Sequence, residues 1–192
     1  MNTAQWTQNV SFQRWYDQSP EMSRTVKILE AMPPAVQSII AQAIVDLANR
    51  ECHANEILQS YKSLGSEKIM ALHKSQRKLR ALDKNPDTFK AMTYLYVLST
   101  ENRELIALKV NELVECIRDY FQHCSENQLS PDEEQIHTVR DSYMAAGKDG
   151  ARMFLQNIKE RFLADIAKTE VVVKPKAKGL DVAEENSGMR IS

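Results

Sequence analysis

Apolar side chains recur every three or four residues along most of this 192-residue chain, the spacing that places them on one side of an α-helix. One such stripe follows Pro34 and comprises Val36, Ile39, Ile40, Ala43, Ile44 and Leu47. The longest well-phased stripe follows Thr100 and comprises Ile106, Val110, Leu113, Val114, Ile117, Tyr120, Phe121 and Cys124. Only five glycines occur, and two of them lie in the last 14 residues, which leaves little turn chemistry for a sheet. The pattern predicts an all-α fold.

Cap and turn residues divide the pattern into separate helices. Ser19 is suited to cap a helix that begins at Pro20, and the Pro33-Pro34 pair ends that helix and opens the next. The stripe after Pro34 continues through Leu64 and is either one long helix or two helices broken near Cys52-His53. Later breaks are predicted at Asn85-Pro86-Asp87, at a capping box that begins with Ser130, and at Gly147–Gly150. The prediction is a bundle of six to eight helices over residues 1–167.

The two ends of the chain differ in character. Near the start, Phe12, Trp15 and Tyr16 have the spacing of one helical face, and with Trp6 they are expected to pack onto the bundle as a short helix. The alternative is an exposed aromatic patch that binds a partner. Residues 168–192 lack a helical period and mix proline, glycine and both charges. We therefore expect a flexible, disordered C-terminal tail.

Composition narrows the class of protein further. With 43% hydrophobic residues the chain can build a core, and a net charge of −1 creates no overall field that attracts nucleic acid or an acidic membrane. The longest apolar-rich run, residues 38–48, contains Gln42 and Asp46, so no membrane insertion is expected. The N-terminus lacks the features of a secretion signal, and the three cysteines are an odd number. These observations favour the cytoplasm.

The segment 68–84 concentrates positive charge on one side of a predicted helix. We call this side the basic arc: His73, Lys74, Arg77, Lys78, Arg80 and Lys84. Only Met70 and Ala81 interrupt it, and the opposite side carries Ile69, Ala71, Leu72, Leu79 and Leu82. Such an arc could face solvent, bind a protein, or neutralise phosphates of a nucleic acid. Base-stacking aromatic residues are missing from the segment, which weakens the last alternative.

Residues 101–134 carry the opposite charge. Nine acids stand against three bases there, a balance of −6, whereas residues 61–84 contain seven lysines and arginines against two acids, a balance of +5. Opposite charge on two helices can orient their packing, within one subunit or between two. Internal pairing or solvation is the first expectation, a protein partner the second and nucleic acid the third.

Candidate catalytic and metal motifs fail on spacing. Cys52-His53 and His123-Cys124 are adjacent pairs, whereas zinc ligands usually have two to four residues between them. Glu134-x-x-His137 matches half of a di-iron motif, but no second copy occurs. Gly147-Lys148 lacks the rest of a phosphate-binding loop. We predict no catalytic residues, no metal and no cofactor.

The sequence thus favours a non-enzymatic cytoplasmic protein-interaction or regulatory protein, plausible as a homo-oligomer, that acts through charged helix faces. The alternative is a nucleic-acid-binding regulator that uses the basic arc. An enzyme would need a deep pocket in which titratable side chains converge.

Overall fold

The computed structural model describes residues 14–63 and 84–172, and this part of the chain is all-α, as predicted. In these two ranges, a short 3-10 turn, Trp15–Gln18, precedes six α-helices. They are α1 (Pro20–Ala31), α2 (Pro34–Cys52), α3 (Ala54–Ser63), α4 (Pro86–Val97), α5 (Thr100–Glu126) and α6 (Glu133–Val172). The basic arc except Lys84, the N-terminal residues Trp6 and Phe12, and residues 173–192 of the predicted tail lie outside the described residues.

The predicted boundaries of α1 and the predicted start of α2 are confirmed, as is the alternative in which a break near Cys52-His53 ends α2. The Ser19 hydroxyl accepts a hydrogen bond from the Met22 amide at 3.5 Å, and Pro20 occupies the first turn. Helix α2 ends at Cys52 because His53 adopts a left-handed conformation with φ of 51°, which closes the last turn. Helix α3 starts at the next residue.

The starts of α4 and α5 follow the same rule. The Asn85 side chain accepts a hydrogen bond from the Asp87 amide at 2.9 Å, and the Ser99 hydroxyl accepts one from the Asn102 amide at 3.3 Å. Residues 93–97 are helical although their composition also suits a strand. One side of this helix is buried against α2 at every turn, through Ala91, Tyr94 and Leu95, and this burial outweighs β propensity.

The cap of α6 differs from the prediction. Asp132, rather than Ser130, caps this helix, and its carboxylate accepts a hydrogen bond from the Glu134 amide at 3.0 Å. The Asp132 amide donates to the Tyr120 hydroxyl at 3.0 Å, so it is not available to the Ser130 hydroxyl. A contact with α5 therefore moves the start of the helix to Glu133.

The predicted break at Gly147–Gly150 is a kink within α6. Gly147 has φ of 65° and ψ of −156°, a backbone conformation that L-residues with a side chain rarely adopt. Ala146 also departs from helical geometry. The chain also approaches itself closely there, since a Cβ atom on Gly150 would lie 2.5 Å from the Ser142 carbonyl oxygen. The two glycines allow the bend.

Helix α2 lies at the centre of the core. Eleven of its nineteen residues are buried, and it packs on α1, α3, α4 and α5. A helix that is apolar nearly all round needs neighbours on several sides. The fully buried large side chains of the core are Met22, Val26, Leu29, Ile39, Ile40, Ile44, Leu47, Leu95, Ile106, Val110, Leu113 and Ile117.

A hydrogen-bonded polar cluster fixes how α1 packs on α5. The Thr25 hydroxyl donates to the Asn111 side-chain oxygen at 3.1 Å, and the Asn111 amide nitrogen donates to the Glu21 carboxylate at 2.8 Å. Both Thr25 and Asn111 are buried. A shifted register would leave these groups without partners, so the cluster favours one alignment.

Tertiary contacts divide the chain into two units, Met1–Asn157 and Ile158–Ser192, with the boundary inside α6. In the first part of α6, Val139, Tyr143, Ala151 and Leu155 are buried. In the second unit, Leu163 is 63% and Ile166 40% exposed. None of the helices in the described ranges is long and apolar enough to cross a membrane.

Candidate interaction surface on helix α5

Lys84 is the one member of the basic arc that lies within the described residues. It is exposed and directly precedes Asn85, the cap of α4. Residues His73, Lys74, Arg77, Lys78 and Arg80 lie outside the described ranges, so the arc remains a prediction. The opposite charge, on α5, is described in full.

Acidic residues gather on the outer side of α5. We call the set Glu101, Glu104, Glu112, Glu115, Asp119 and Glu126 the acidic face. At 100° per residue all six fall within about 80° around the helix axis. The inner side carries the buried stripe that begins with Ile106 and ends with Cys124, so the core orients these acids outward. Asp132, Glu133 and Glu134 lie separately, exposed at the start of α6.

Two of these acids interact with other helices. Glu115 lies between Lys148, at 3.0 Å, and Arg24, at 3.6 Å. The hydrogen bond and the positive charge of Lys148 lower the pKa of the Glu115 carboxyl. Glu112 accepts a hydrogen bond from the Tyr143 hydroxyl at 2.9 Å. Burial, together with this acceptor, raises the pKa of Tyr143.

Glu101, Glu104 and Asp119 are exposed, and none of them forms an ion pair with a residue of the described ranges. Glu126 accepts a hydrogen bond from the exposed Gln122 side chain at 2.7 Å. Uncompensated negative charge therefore lies at both ends of the acidic face. In the middle, Arg24 of α1 and Lys148 of α6 offset the charge of Glu115.

Two exposed leucines lie among the acids. Leu105 is 39% and Leu108 50% exposed, one helical turn apart. Glu101 and Glu104 precede them and Glu112 follows. Leu108 falls in the centre of the acidic face and Leu105 at its edge. The surface thus combines an apolar centre with carboxylates at either side.

Nearby cations interact with other acids. Lys109 on α5 contacts the Glu51 carboxylate on α2 at 3.0 Å, and Arg50 contacts the same carboxylate at 2.9 Å. Hydrogen bonds from Lys109 and Arg50 lower the pKa of Glu51. Because Lys109 interacts with Glu51, it does not offset the acidic face.

The thiols and imidazoles do not form a site. Cys52, Cys116 and Cys124 are free and buried, and burial raises the pKa of the Cys52 and Cys116 thiols. His53 is exposed at the end of α2, whereas His123 is buried on α5. Within the described ranges, no group of three His, Cys, Asp or Glu side chains is arranged to hold a metal ion. Buried thiols with raised pKa values are poor nucleophiles.

A small cleft of about 240 Å³ lies between α2, α4 and α6. Its lining residues are Ala41, Gln42, Val45, Asp46, Asp87, Lys90 and Arg140. Arg140 forms ion pairs with Asp46 and with Asp141. Ligand pockets usually have volumes of about 300–1,000 Å³ and a mostly apolar lining. The cleft is smaller than that range and two of its charges are paired with each other.

Sequence reasoning located the excess of acids but missed the apolar centre and the internal pairing. A helical wheel of residues 100–126 alone would have placed Leu105 and Leu108 among the acids, because their positions follow from the 3.6-residue period. The pairing of Glu115 with Lys148 has no such local signal, since the partners are 33 residues apart and meet only in the fold.

Comparisons with protein-family models, with curated proteins and with solved structures found no match to this chain. A function must therefore be inferred from the chemistry of its surface. Within the described residues, the acidic face of α5 is a surface at which charge of one sign and exposed apolar area coincide, whereas the exposed Leu163 and Ile166 of α6 lie among charges of both signs.

Proposed function

We propose that this chain is a non-enzymatic protein-interaction or regulatory protein that acts in the cytoplasm through oppositely charged helix faces. The observation that carries the proposal is the alignment of six acids on the outer side of α5, five of them exposed and without an ion pair in the described part of the chain. The basic arc supplies the complementary charge. The absence of disulfides among the three buried cysteines supports a reducing compartment.

Electrostatic complementarity explains how oppositely charged helix faces contribute to binding. Exposed ion pairs contribute about 0–1 kcal/mol each, so they do little to stabilise a fold. Aligned faces of opposite sign speed encounter and orient two surfaces, and they disfavour partners of like charge. Selection and orientation of a partner are therefore the properties that we assign to the two faces.

The non-enzymatic part of the proposal draws on the cleft beside Arg140. Its volume is small, and Arg140 and Asp46 neutralise each other. The buried thiols offer no activated nucleophile. These features favour binding over catalysis.

Reversal of charge on the basic arc tests the proposal. We expect Arg77→Glu/Lys78→Glu/Arg80→Glu to weaken self-association, measured by sedimentation velocity, or capture of a partner from a nuclease-treated lysate. The control Lys27→Glu/Lys159→Glu/Arg161→Glu reverses three exposed bases elsewhere and changes net charge equally. Equal association of both variants and the unmodified chain, with helical circular dichroism intact, would contradict the proposal.

Nucleic-acid binding is the alternative that uses the same six residues of the basic arc. It predicts binding to generic duplex or single-stranded DNA that weakens steeply as salt rises, because phosphate contacts release counterions. Fluorescence anisotropy at low and moderate salt separates the two functions. Salt-dependent DNA binding that is lost in the arc variant and kept in the control variant would replace the protein-interaction proposal.

A further inference from the structure

We infer that Leu105 and Leu108, with the carboxylates of Glu101, Glu104 and Glu112, form a docking surface for the basic amphipathic segment 68–84 of a second copy of this chain. The inference rests on the proposed function and names the segment that binds to the acidic face. It also adds an apolar centre to a surface otherwise defined by charge.

The exposure of the two leucines is the first observation. Single exposed leucines are common on protein surfaces and need no explanation. Leu105 and Leu108 are adjacent on the outer side of α5, 39% and 50% exposed, and Leu108 lies in the centre of six aligned acids, whereas the similarly spaced Leu163 and Ile166 of α6 lie among charges of both signs. A small apolar centre inside a polar rim is the usual composition of an interface.

The basic arc has the complementary composition. Met70 and Ala81 fall near the middle of the arc on a helical wheel, with Lys74 and Lys78 on one side and Arg77 on the other. Along the chain, Met70 precedes the cations of the arc, and Ala81 is the apolar residue that lies among them, between Lys78 and Lys84. The complementarity to the acidic face is therefore one of charge, and Ala81 is the small apolar residue of the arc that can meet Leu105 and Leu108. As a helix, Lys74 to Lys84 would span about 15 Å, close to the roughly 17 Å from Glu101 to Glu112.

A second copy is the occupant that these charges favour. No described element of the single chain covers Leu105 and Leu108, which remain exposed. Two acidic faces would repel each other, which disfavours pairing of α5 with α5. In a two-fold dimer, the basic arc of each copy can bind the acidic face of the other. The two contacts together bury twice the area of a single contact.

Substitution of the leucines tests the apolar centre. We expect Leu105→Gln/Leu108→Gln, which keeps good helix formers at exposed positions, to raise the dimer dissociation constant at least tenfold in sedimentation experiments. The matched control is Met153→Gln/Leu163→Gln, which removes two side chains that are 67% and 63% exposed on α6. Equal dissociation constants for the two variants would overturn the inference.

Exchange of charge between copies tests the pairing itself. The variants Glu101→Lys/Glu104→Lys and Arg77→Glu/Lys78→Glu/Arg80→Glu should each associate weakly alone. Mixed together, they should form a heterodimer, since the intact arc of the first meets the intact acidic face of the second. A mixture that associates no better than its components would reject arc-to-face pairing.

A peptide experiment does not depend on the folding of any variant. A fluorescent peptide of residues 68–84 should bind the unmodified chain saturably, and a peptide with the Arg77→Glu/Lys78→Glu/Arg80→Glu changes should bind at least tenfold more weakly. Equal binding of both peptides would overturn the inference. A chain that neither self-associates nor captures a partner would instead refute the proposed function, so the two failures are distinguishable.

Discussion

At the scale of single residues, Arg103 joins three parts of the fold. Its guanidinium donates hydrogen bonds to the carbonyl oxygens of Leu95, at 2.9 Å, and Tyr96, at 2.7 Å, near the end of α4. It also lies over the Trp15 ring, 5.1 Å from the centroid. The last carbonyls of a helix lack partners within that helix. Arg103 supplies a donor to the Tyr96 carbonyl and a second donor to the Leu95 carbonyl, which also accepts from the Leu98 amide at 3.3 Å. One side chain from α5 thereby binds carbonyls at the C-terminal end of α4 and also contacts the N-terminal 3-10 turn.

We expect Arg103→Ala to lower the free energy of unfolding by about 1.5–3 kcal/mol, the range for hydrogen bonds to a charged group. Urea denaturation followed by circular dichroism measures this change. Arg118→Ala, an exposed position on the same helix, should stay within about 0.5 kcal/mol of the unmodified chain. Similar losses in the two variants would show that the Arg103 contacts contribute little.

Gly147 is the second position where one residue decides local structure. We expect Gly147→Ala to destabilise the fold by about 1–3 kcal/mol, because φ of 65° with ψ of −156° is essentially restricted to glycine. The space around the position is open, so backbone strain is the cause to be measured. Lys159→Ala, at an exposed helical position, serves as the control. An unchanged midpoint of thermal unfolding for Gly147→Ala would argue against the kink.

At the scale of elements, two ion clusters attach α5 to its neighbours. Glu51 on α2 binds Lys109 of α5, and Glu115 of α5 binds Lys148 of α6. Both carboxyls have pKa values below the usual 4.5, because the cations stabilise their charged forms. The clusters therefore contribute stability only while the carboxyls are ionised.

Acidification should weaken these attachments. A carboxyl whose pKa is lower in the folded state contributes fully above its usual pKa, and the contribution is lost as the pH falls below 4.5. We expect the unmodified chain to lose more stability than Glu51→Gln/Glu115→Gln between roughly pH 5 and pH 3. The control Glu101→Gln/Glu104→Gln should follow the unmodified chain. Parallel pH profiles for all three would contradict this role.

The two parts of α6 should differ in local stability. Between Lys159 and Lys168, every residue except Phe162 is exposed, whereas α2 is buried over most of its length. Helical amides without packed side chains open readily. We therefore expect faster amide hydrogen exchange in residues 159–168 than in α2, measured by mass spectrometry on the same sample. Equal protection of both segments would mean that other contacts cover this part of α6.

At the scale of the whole molecule, a net charge of −1 conceals a strong asymmetry. Residues 61–84 carry +5 and residues 101–134 carry −6, by the counts of lysine, arginine and acids given above. Such a molecule is nearly neutral at a distance and strongly charged at each face. Its electrostatics therefore act over short range and depend on orientation.

Salt should accordingly weaken association of the unmodified chain. A rise in ionic strength from about 0.1 M to 1 M shortens the Debye length from about 10 Å to about 3 Å and screens the exposed carboxylates. We expect the dissociation constant, measured by sedimentation equilibrium, to rise across this range. The Lys27→Glu/Lys159→Glu/Arg161→Glu control should show the same trend. Association that strengthens with salt would indicate a mainly apolar interface.

Many helix boundaries of this fold can be predicted from the local sequence, because residues within one or two turns decide where a helix begins and ends. The Ser19 cap, the break at His53 and the bend at Gly147 were all predictable from residue types within one or two turns. The start of α6 was not, since Asp132 rather than Ser130 is its cap. The Tyr120 hydroxyl on another helix binds the Asp132 amide, and no local pattern contains that contact.

The candidate interaction surface on α5 also depends partly on the local sequence and partly on the packed fold. The residue order alone places six acids and two leucines on one side of α5, because a helical period is enough to align them. Only the packed fold decides which of those acids remain available: Lys148 binds Glu115 and Tyr143 binds Glu112, whereas Glu101, Glu104 and Asp119 form no ion pair in the described part of the chain. Charge pairing depends on distances in space, and these partners come from residues 31 and 33 positions away along the chain.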